Sequence, residues 1–532
     1  MSNYEGFKSV KLNKPQRSTF DLSHEVRMSG RMGKLIPVFV SEAMPNDTFY
    51  GSTEVLIKLA PMLAPIMHRV NVYVHFFFIP NRLLWKDWET FITGGRLGTE
   101  VTTPPLTPRV GVREVLELNS KRLDKSSLFN YLGGRPIPDT EAGTWGINKY
   151  IDILPFAAYY KVWYDYYRDR NYEPDTTILP LTSGAKVATD ISFLMALRSR
   201  CWEHDYFTSA LPFTQRGAEV LVPMLGTGSI TTAQTGDVRN VFGGGLASGS
   251  PLNASLGVLK ANSTDVYLDV DGDVEITNSE ISINDLRRAV RLQEWLERNA
   301  LAGSRYNESI MAHFARKTSD SRLQRAEYLG GGKAPIRIGE VMTTAYSEDA
   351  TAEIVPPSNP YGKGEAYTNT NRFSYNCEEH GFVIGILSVM PTSGYMQGMP
   401  RMFRSRRTFL DYPWPSFAHL GEQPVYNYEI YASNDSIGTD PADNALFGYQ
   451  SRYAEWKQLP SRAAGDFAGN LDFWHLTRKF ASQPLLNNTF VVFEDALQDR
   501  IFNVSGVDTL WMYCHNNIKV KRSLPYFGTP NL

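Results

Sequence analysis

Cysteine is nearly absent from this chain of 532 residues. The three copies, Cys201, Cys377 and Cys514, are odd in number and far apart. That excludes a disulfide framework and suits a reducing compartment. Long apolar runs are missing too. The longest, Val72–Pro80 and Phe382–Met390, are about half of the ~20 residues that a membrane-spanning helix needs. Met1–Gln16 is polar and lysine-bearing, so no secretory signal is expected and the chain should be soluble and made in the cytosol. Net charge is small: 54 Lys and Arg against 56 Asp and Glu leave −2. Overall charge therefore does not drive the chain onto nucleic acid or an anionic membrane, although one face can still be basic. There is no Gly-x-Ser-x-Gly elbow and no His-Glu-x-x-His helix. Nothing argues for an enzyme. Internal repeats and heptads are absent as well.

What the chain does have is aromatic rings and chain breakers. Phe, Tyr and Trp make up 12%, with 41 Gly and 31 Pro spread throughout. This favours short strands and long loops over helical bundles. Val70–Ile79 alternates: Val70, Val72, Val74, Phe76 and Phe78 share one side, which predicts a strand with one strongly buried face, ended by Pro80. Gly381–Met390 is almost continuously apolar, as in a strand buried on both faces. Val425–Tyr431 and Asn517–Arg522 are further strand candidates. These segments lie far apart, so the sheets must form from distant pairings. Two helices are expected. Leu154–Arg170 spaces Phe156, Tyr159, Tyr160, Trp163, Tyr164 and Tyr167 helically. The other starts at a capping box, Ser282–Asp285, and stops at Gly303.

Two regions stand apart in composition. Residues 1–34 form a mildly basic arm, read either as a frayed terminus or as an arm lying on a neighbouring subunit or on nucleic acid. Residues 217–286 carry ten Gly and nine Asp or Glu but only two basic residues, Arg239 and Lys260. Such a window cannot build a large core and reads as a surface insertion.

Candidate chemical sites are few. Asp269, Asp271, Asp273 and Glu280 follow the order of carboxylates in a calcium loop, but Val274 stands where the turn glycine belongs. The alternative is a hairpin turning at Asp271-Gly272, so no metal is assigned. Cys201-x-x-His204 and Cys377-x-x-His380 have zinc-ligand spacing within each pair, yet buried free cysteine is the more common use of such residues. Gly330-Gly331-Gly332-Lys333 is similar to a phosphate loop only superficially, lacking its first glycine and its Ser or Thr. The basic clusters are Arg401, Arg404, Arg406 and Arg407 around Met402 and Phe403, and Lys519, Lys521 and Arg522 on the last strand. Arginine among aromatics suits single-stranded nucleic acid, where cations meet phosphate and rings stack on bases. The alternative is ion pairing at a subunit interface or a solvated loop.

Longer motifs make the chain recognisable. They include Phe20-Asp21-Leu22-Ser23, Pro45-Asn46-Asp47-Thr48-Phe49, and above all His75-Phe76-Phe77-Phe78-Ile79-Pro80-Asn81-Arg82-Leu83-Leu84-Trp85. Leu154-Pro155-Phe156-Ala157-Ala158-Tyr159, Asp205-Tyr206-Phe207-Thr208-Ser209-Ala210-Leu211-Pro212, Phe447-Gly448-Tyr449-Gln450-Ser451-Arg452-Tyr453 and Leu471-Asp472-Phe473-Trp474-His475 follow in order. Together they resemble the major capsid proteins of microviruses, small tailless bacteriophages with circular single-stranded DNA, and above all their gokushovirus-like branch. The likeness runs over residues 20–532 apart from 217–286. Asn46 stands where the family usually has Gly, and Ala326 where Pro is frequent.

The resemblance implies a mainly β fold: a single eight-stranded antiparallel jelly roll over residues 35–532, with long loop insertions and a few helices. It implies assembly into the simplest icosahedral shell (T=1), in the bacterial cytoplasm. It implies residues 217–286 as a protrusion at the three-fold axes that meets a host surface receptor. The partners it implies are further copies of the chain, a scaffolding protein, a minor DNA-pilot protein, a small basic DNA-binding protein and the packaged single-stranded DNA. No cofactor is implied. A carbohydrate-binding or carbohydrate-cleaving sandwich is the competing reading, since jelly rolls and aromatics also serve sugars.

Overall fold

The structure, a computed structural model, describes residues 16–95, 104–118, 121–138, 140, 149–173, 178–217, 283–302, 306–315, 317, 319–342, 360–369, 372–403, 408–419, 421–432, 445–504 and 506–527, with short strands at 253–255, 258–261, 264–265, 347–348 and 354–355. The chain divides into two compact units, residues 1–214 with 302–532, and residues 215–301.

The larger unit is built on two antiparallel sheets. One has four strands in the order Glu327–Pro335, Val70–Pro80, Gly381–Pro391, Ile36–Ala43. The other, the wide sheet, runs Ser18–Asp21, Leu510–Arg522, Thr48–Leu59, Pro360–Asn369, Arg337–Met342. In it His24–Gly30 also pairs with Leu510–Arg522, and Phe373–Asn376 with Thr48–Leu59. Residues 18–30 of the basic arm are therefore strands of the chain's own sheet.

A shared core joins the two sheets. Phe49, Val55 and Ile57 of the wide sheet and Met512, Ile518 and Val520 beside them meet Val72, Val74, Phe76, Phe78, Val383 and Leu387 of the four-stranded sheet. Full burial of one such aromatic or aliphatic side chain contributes about 2 kcal/mol. Gly385 makes the packing possible, because a Cβ there would stand 2.8 Å from the Phe76 ring.

The strand Val70–Pro80 departs from the expectation of one buried face. Its other face, through Phe77 and Ile79, enters a second core with Ile384, Ile386, Trp85, Tyr159 and Tyr160. The cause is the helix Leu154–Val162, which lies against the four-stranded sheet and buries Phe156, Ala157, Tyr159 and Tyr160. Pro155 sits in its first turn, and Asp152 accepts the Leu154 N–H at 2.8 Å. The α-helix ends sooner than the aromatic spacing predicts. Trp163–Tyr167 widens into a π turn, closed by the Arg168 N–H on the Trp163 carbonyl at 2.9 Å. The wider turn lets Tyr166 bond Asp320 and the Ala326 carbonyl while Tyr167 meets His75.

Two strand expectations are adjusted. The strand near 425 is Glu422–Tyr426 and gives way to a 3-10 turn, Asn427–Glu429, because the buried Glu429 carboxylate turns back to accept the Tyr426 N–H at 3.1 Å. The last strand is longer than expected, starting at Leu510. In the smaller unit the helix runs Ile283–Ala302, with Glu294 paired to Arg291 at 2.6 Å and to Arg298 at 3.3 Å. Residues 269–280, the calcium candidate, lie outside the described residues. Among the described residues no helix is long and apolar enough to cross a membrane.

Candidate nucleic-acid interface

The strand Leu510–Arg522 alternates strictly, and that alternation makes a surface. Leu510, Met512, Cys514, Asn516, Ile518 and Val520 are buried. Trp511, Tyr513, His515, Asn517, Lys519 and Lys521 therefore share the outer face. Register sets Lys519 opposite Tyr50, Lys521 opposite Thr48, and Trp511 opposite Lys58. Next along the sheet, Tyr367 stands opposite Leu56. Tyr50, Trp511 and Tyr367 are 51%, 50% and 68% exposed, so three rings and three lysines lie on one open face.

The surroundings are electrostatically mixed. Asp21 pairs in register with Lys519; hydrogen bonds from Ser23 hold its carboxyl below the usual range, and Lys519 adds to this. The hydrogen bond from Tyr513 holds the Glu25 carboxyl low, with Arg27 2.7 Å away assisting. Near Lys521 the Arg17 guanidinium donates to Thr48 Oγ1 at 2.7 Å and to the Lys521 carbonyl at 3.1 Å. Tyr526 stacks on Phe20 with ring centres 6.0 Å apart, and Phe527 lies against it. The outer face at this end thus joins Lys519 and Lys521 to exposed Tyr50, while Tyr526 and Phe527 lie on the Phe20 side of the edge. Cations beside exposed rings suit a single strand, whose phosphates and bases alternate.

The other basic residues picked from the sequence sit differently. Arg522 turns off this face: its Nε is 2.9 Å from the fully buried Asp47, and its Nη2 donates to the Glu42 carbonyl at 2.6 Å. Arg401 is an internal brace, donating to the Pro424 carbonyl at 3.1 Å, with Glu455 at 3.9 Å and Glu429 at 4.0 Å. Burial opposes its charge, and the two carboxylates outweigh that. Burial also raises the Glu429 carboxyl, countered by Arg401. Met402 and Phe403 beside it are exposed. Arg404, Arg406 and Arg407 lie outside the described residues.

No metal cluster forms among the described residues. Cys201 bonds the Tyr167 carbonyl at 3.5 Å, whereas Cys377 is in the core between the sheets, and burial pushes both thiols up to about 12. His380 packs on the Trp88 ring. The two Cys–His pairs do not converge. Gly331 and Lys333 belong to the strand Glu327–Pro335, and a Cβ on Gly331 would meet the Val74 carbonyl at 2.3 Å. The glycines thus serve close strand packing, and Lys333 pairs with Glu203 at 3.1 Å.

Sequence reading missed Tyr50, Tyr367 and Trp511, whereas Arg17 lies in the arm read as a candidate nucleic-acid contact. Lys519 and Lys521 were visible as alternating cations. Tyr50 and Tyr367 come from strands more than a hundred residues away, and the register brings them onto the face that carries the lysines.

Comparison with known proteins adds the wider context. Residues 8–532 match the family model described as "Capsid protein (F protein)". The chain is 33% identical to capsid protein VP1 of Chlamydia phage 1, over 97% of this chain and 96% of that one. It is 32% identical to capsid protein VP1 of Bdellovibrio phage phiMH2K, over 92% and 90%. With capsid protein VP1 of Spiroplasma virus 4 it shares 27% identity, over 99% and 97%.

Proposed function

The chain belongs to the capsid protein (F protein) family of microviruses, and on that premise we propose that its copies close into the simplest icosahedral shell around circular single-stranded DNA. The observation that carries this reading is the extent of the match. Family similarity runs from residue 8 to residue 532, and the relatives it reaches are capsid proteins along their whole length.

Strand pairing supports an eight-stranded jelly roll. Ser18–Asp21 and His24–Gly30 lie end to end along one neighbour, and Phe373–Asn376 and Pro360–Asn369 along another. Each pair counts as one row, so the wide sheet has four rows plus the flanking Arg337–Met342, facing four strands opposite. In this reading residues 35–532 are one jelly roll, 1–34 a basic arm that contributes its first row, and 217–286 the surface insertion. That insertion is acidic and glycine-rich, fits a protrusion at the three-fold axes, and meets the host receptor.

The open face of the wide sheet is our candidate for the DNA side, with Lys519 and Lys521 as phosphate contacts and Tyr50, opposite Lys519, as a stacking ring. Arg404, Arg406 and Arg407 remain proposed contacts on sequence alone. Arg401 and Arg522 would act there by holding their segments in place, since both are engaged by carboxylates of the same chain. A net charge of −2 cannot neutralise a genome. A small basic DNA-binding protein is therefore expected beside this chain, as are a scaffolding protein and a minor DNA-pilot protein, with assembly in the bacterial cytoplasm.

Particle sizing tests the reading. Chains expressed with their phage partners should yield closed shells of uniform diameter in electron micrographs. A population of monomers and small oligomers under those conditions overturns it.

A further inference from the structure

On one flank of the larger unit both sheets end in a strand that, among the described residues, has a strand neighbour on one side only: His24–Gly30 in the wide sheet, where the Tyr131 hydroxyl donates to the Ser29 carbonyl at 2.7 Å, and Ile36–Ala43 in the other. Along these edges lies a cleft of about 950 Å³, bounded beyond them by residues 121–133. Val26, Met28, Val38 and Phe39 supply apolar lining. Lys125 supplies an exposed cation, and Arg27, paired with Glu25 at 2.7 Å, lies on the same wall. Two acids share the wall. Asp508 accepts the Ser29 and Ser126 hydroxyls at 2.6 and 2.7 Å, and Asp124 accepts the Lys125 N–H at 2.7 Å.

The opposite flank of the wide sheet is its complement. Arg337–Met342 is the terminal strand and, among the described residues, pairs only with Pro360–Asn369. Ile338 packs into the core between the sheets. By alternation Glu340 and Met342 face the same side as Ile338, and both are exposed. Val341 and Met342 are 52% and 48% exposed. An open edge carrying apolar side chains is a template for another strand, and soluble proteins ordinarily cover or charge such an edge.

We propose that Arg337–Met342 of one copy adds to the edge of His24–Gly30 of the next, alongside Glu25 and Arg27, so that the wide sheet continues from copy to copy. Main-chain hydrogen bonds supply the affinity of such strand addition, and alternating side chains set its specificity. Met342 enters the apolar lining beside Val26 and Met28. Glu340, one side-chain pair away on the same face, meets Lys125. Arg337 and Val341 fall on the outer face with Arg27 and Glu25. The contact is head to tail, using two different surfaces, so repetition closes a ring when the rotation per copy allows it. The inference rests on the shell reading above and names the surface that builds the shell.

Charge reversal tests it. Glu340→Lys and Lys125→Glu, each checked for an unchanged thermal midpoint, should each lower shell yield by roughly tenfold or more through like-charge opposition. The two changes in one chain should restore it. Assembly of both single variants at the wild-type level overturns the proposal. A second measurement covers any variant that fails to fold. Chains carrying Met342→Cys are mixed with chains carrying Val26→Cys under mild oxidation. Dimers that form only in the mixture support the pairing, and their absence from assembled shells overturns it. If wild-type chains never assemble, the shell reading has failed by itself. The mixed-cysteine experiment at high concentration then decides the strand pairing separately, by the same two outcomes.

Discussion

In the strand Val70–Pro80 both sets of alternating side chains are buried; in Leu510–Arg522 only one set is. The two strands are of similar length and both lie inside their sheets, with neighbours on either side. The difference is what covers them. The four-stranded sheet has the wide sheet on one face and the Leu154–Val162 helix with its neighbours on the other. The wide sheet has a core beneath it and Tyr50, Trp511, Lys519 and Lys521 outside. Residues on the first sheet are therefore selected for volume and shape. Those on the outer face of the second are free to be selected for what they meet.

The largest effect should come from breaking the doubly covered sheet. Phe76 is fully buried, with its ring centre 4.6 Å from that of Phe373. Phe76→Ala should cost about 3–5 kcal/mol, whereas Tyr50→Ala on the open face should stay within about 0.5 kcal/mol. Urea unfolding midpoints of the two variants check the contrast. Equal losses would mean that the open face is covered in the folded chain.

A smaller effect comes from acid. His75 lies on the helix-covered side of the same sheet, bonded to the Tyr167 hydroxyl at 2.7 Å, and burial lowers its pKa to about 4. Unfolded, it titrates near 6.5. As pH falls the unfolded chain takes up the proton first, so stability is full above pH 6.5 and declines toward pH 4. The loss is about 3 kcal/mol for this group. His68, bonded to the Thr392 carbonyl and likewise lowered to about 4 by burial, adds a similar term. His75→Gln should flatten the dependence of unfolding free energy on pH between 7 and 5; an unchanged slope would place the acid sensitivity elsewhere.

Within the wide sheet, adjacent residues should separate. Arg522→Gln leaves the buried Asp47 carboxylate without its guanidinium and should cost about 2 kcal/mol. Lys521→Gln next to it should cost less than about 0.5 kcal/mol. Chemical denaturation of the two variants measures the difference.

The smallest effect on stability should accompany a clear effect on binding. Lys519→Gln with Lys521→Gln should leave the unfolding midpoint unchanged. Loss of two phosphate contacts should reduce the slope of log affinity against log salt for a single-stranded oligonucleotide by about 1.4. Fluorescence anisotropy across a salt series gives that slope, and an unaltered slope would remove both lysines from the interface.

Legibility in the sequence followed the range of the interaction. Val70–Pro80, Gly381–Pro391 and the helix Ile283–Ala302 were readable almost to the residue, because apolar runs, a terminal proline or a capping box are local signals. The coverage of Phe77 and Ile79 was not, since it depends on a helix about eighty residues away. Nor could Arg401 and Arg522 be told apart from Lys519 and Lys521 as cations. Asp47, Glu429 and Glu455 engage the first two only through tertiary structure. Family resemblance supplied the fold class that spacing alone left open.

The position of Leu510–Arg522 has a consequence in time. It is threaded between rows formed from residues 18–30 and from Thr48–Leu59, so the wide sheet stays split until residue 522 has been made. A ribosome carrying an unfinished chain holds a sheet with a gap at its centre, and long-range closure of this kind is slow relative to local folding. Synthesis of this strand thus acts as a clock: the wide sheet of each copy closes only once residues 510–522 have joined it.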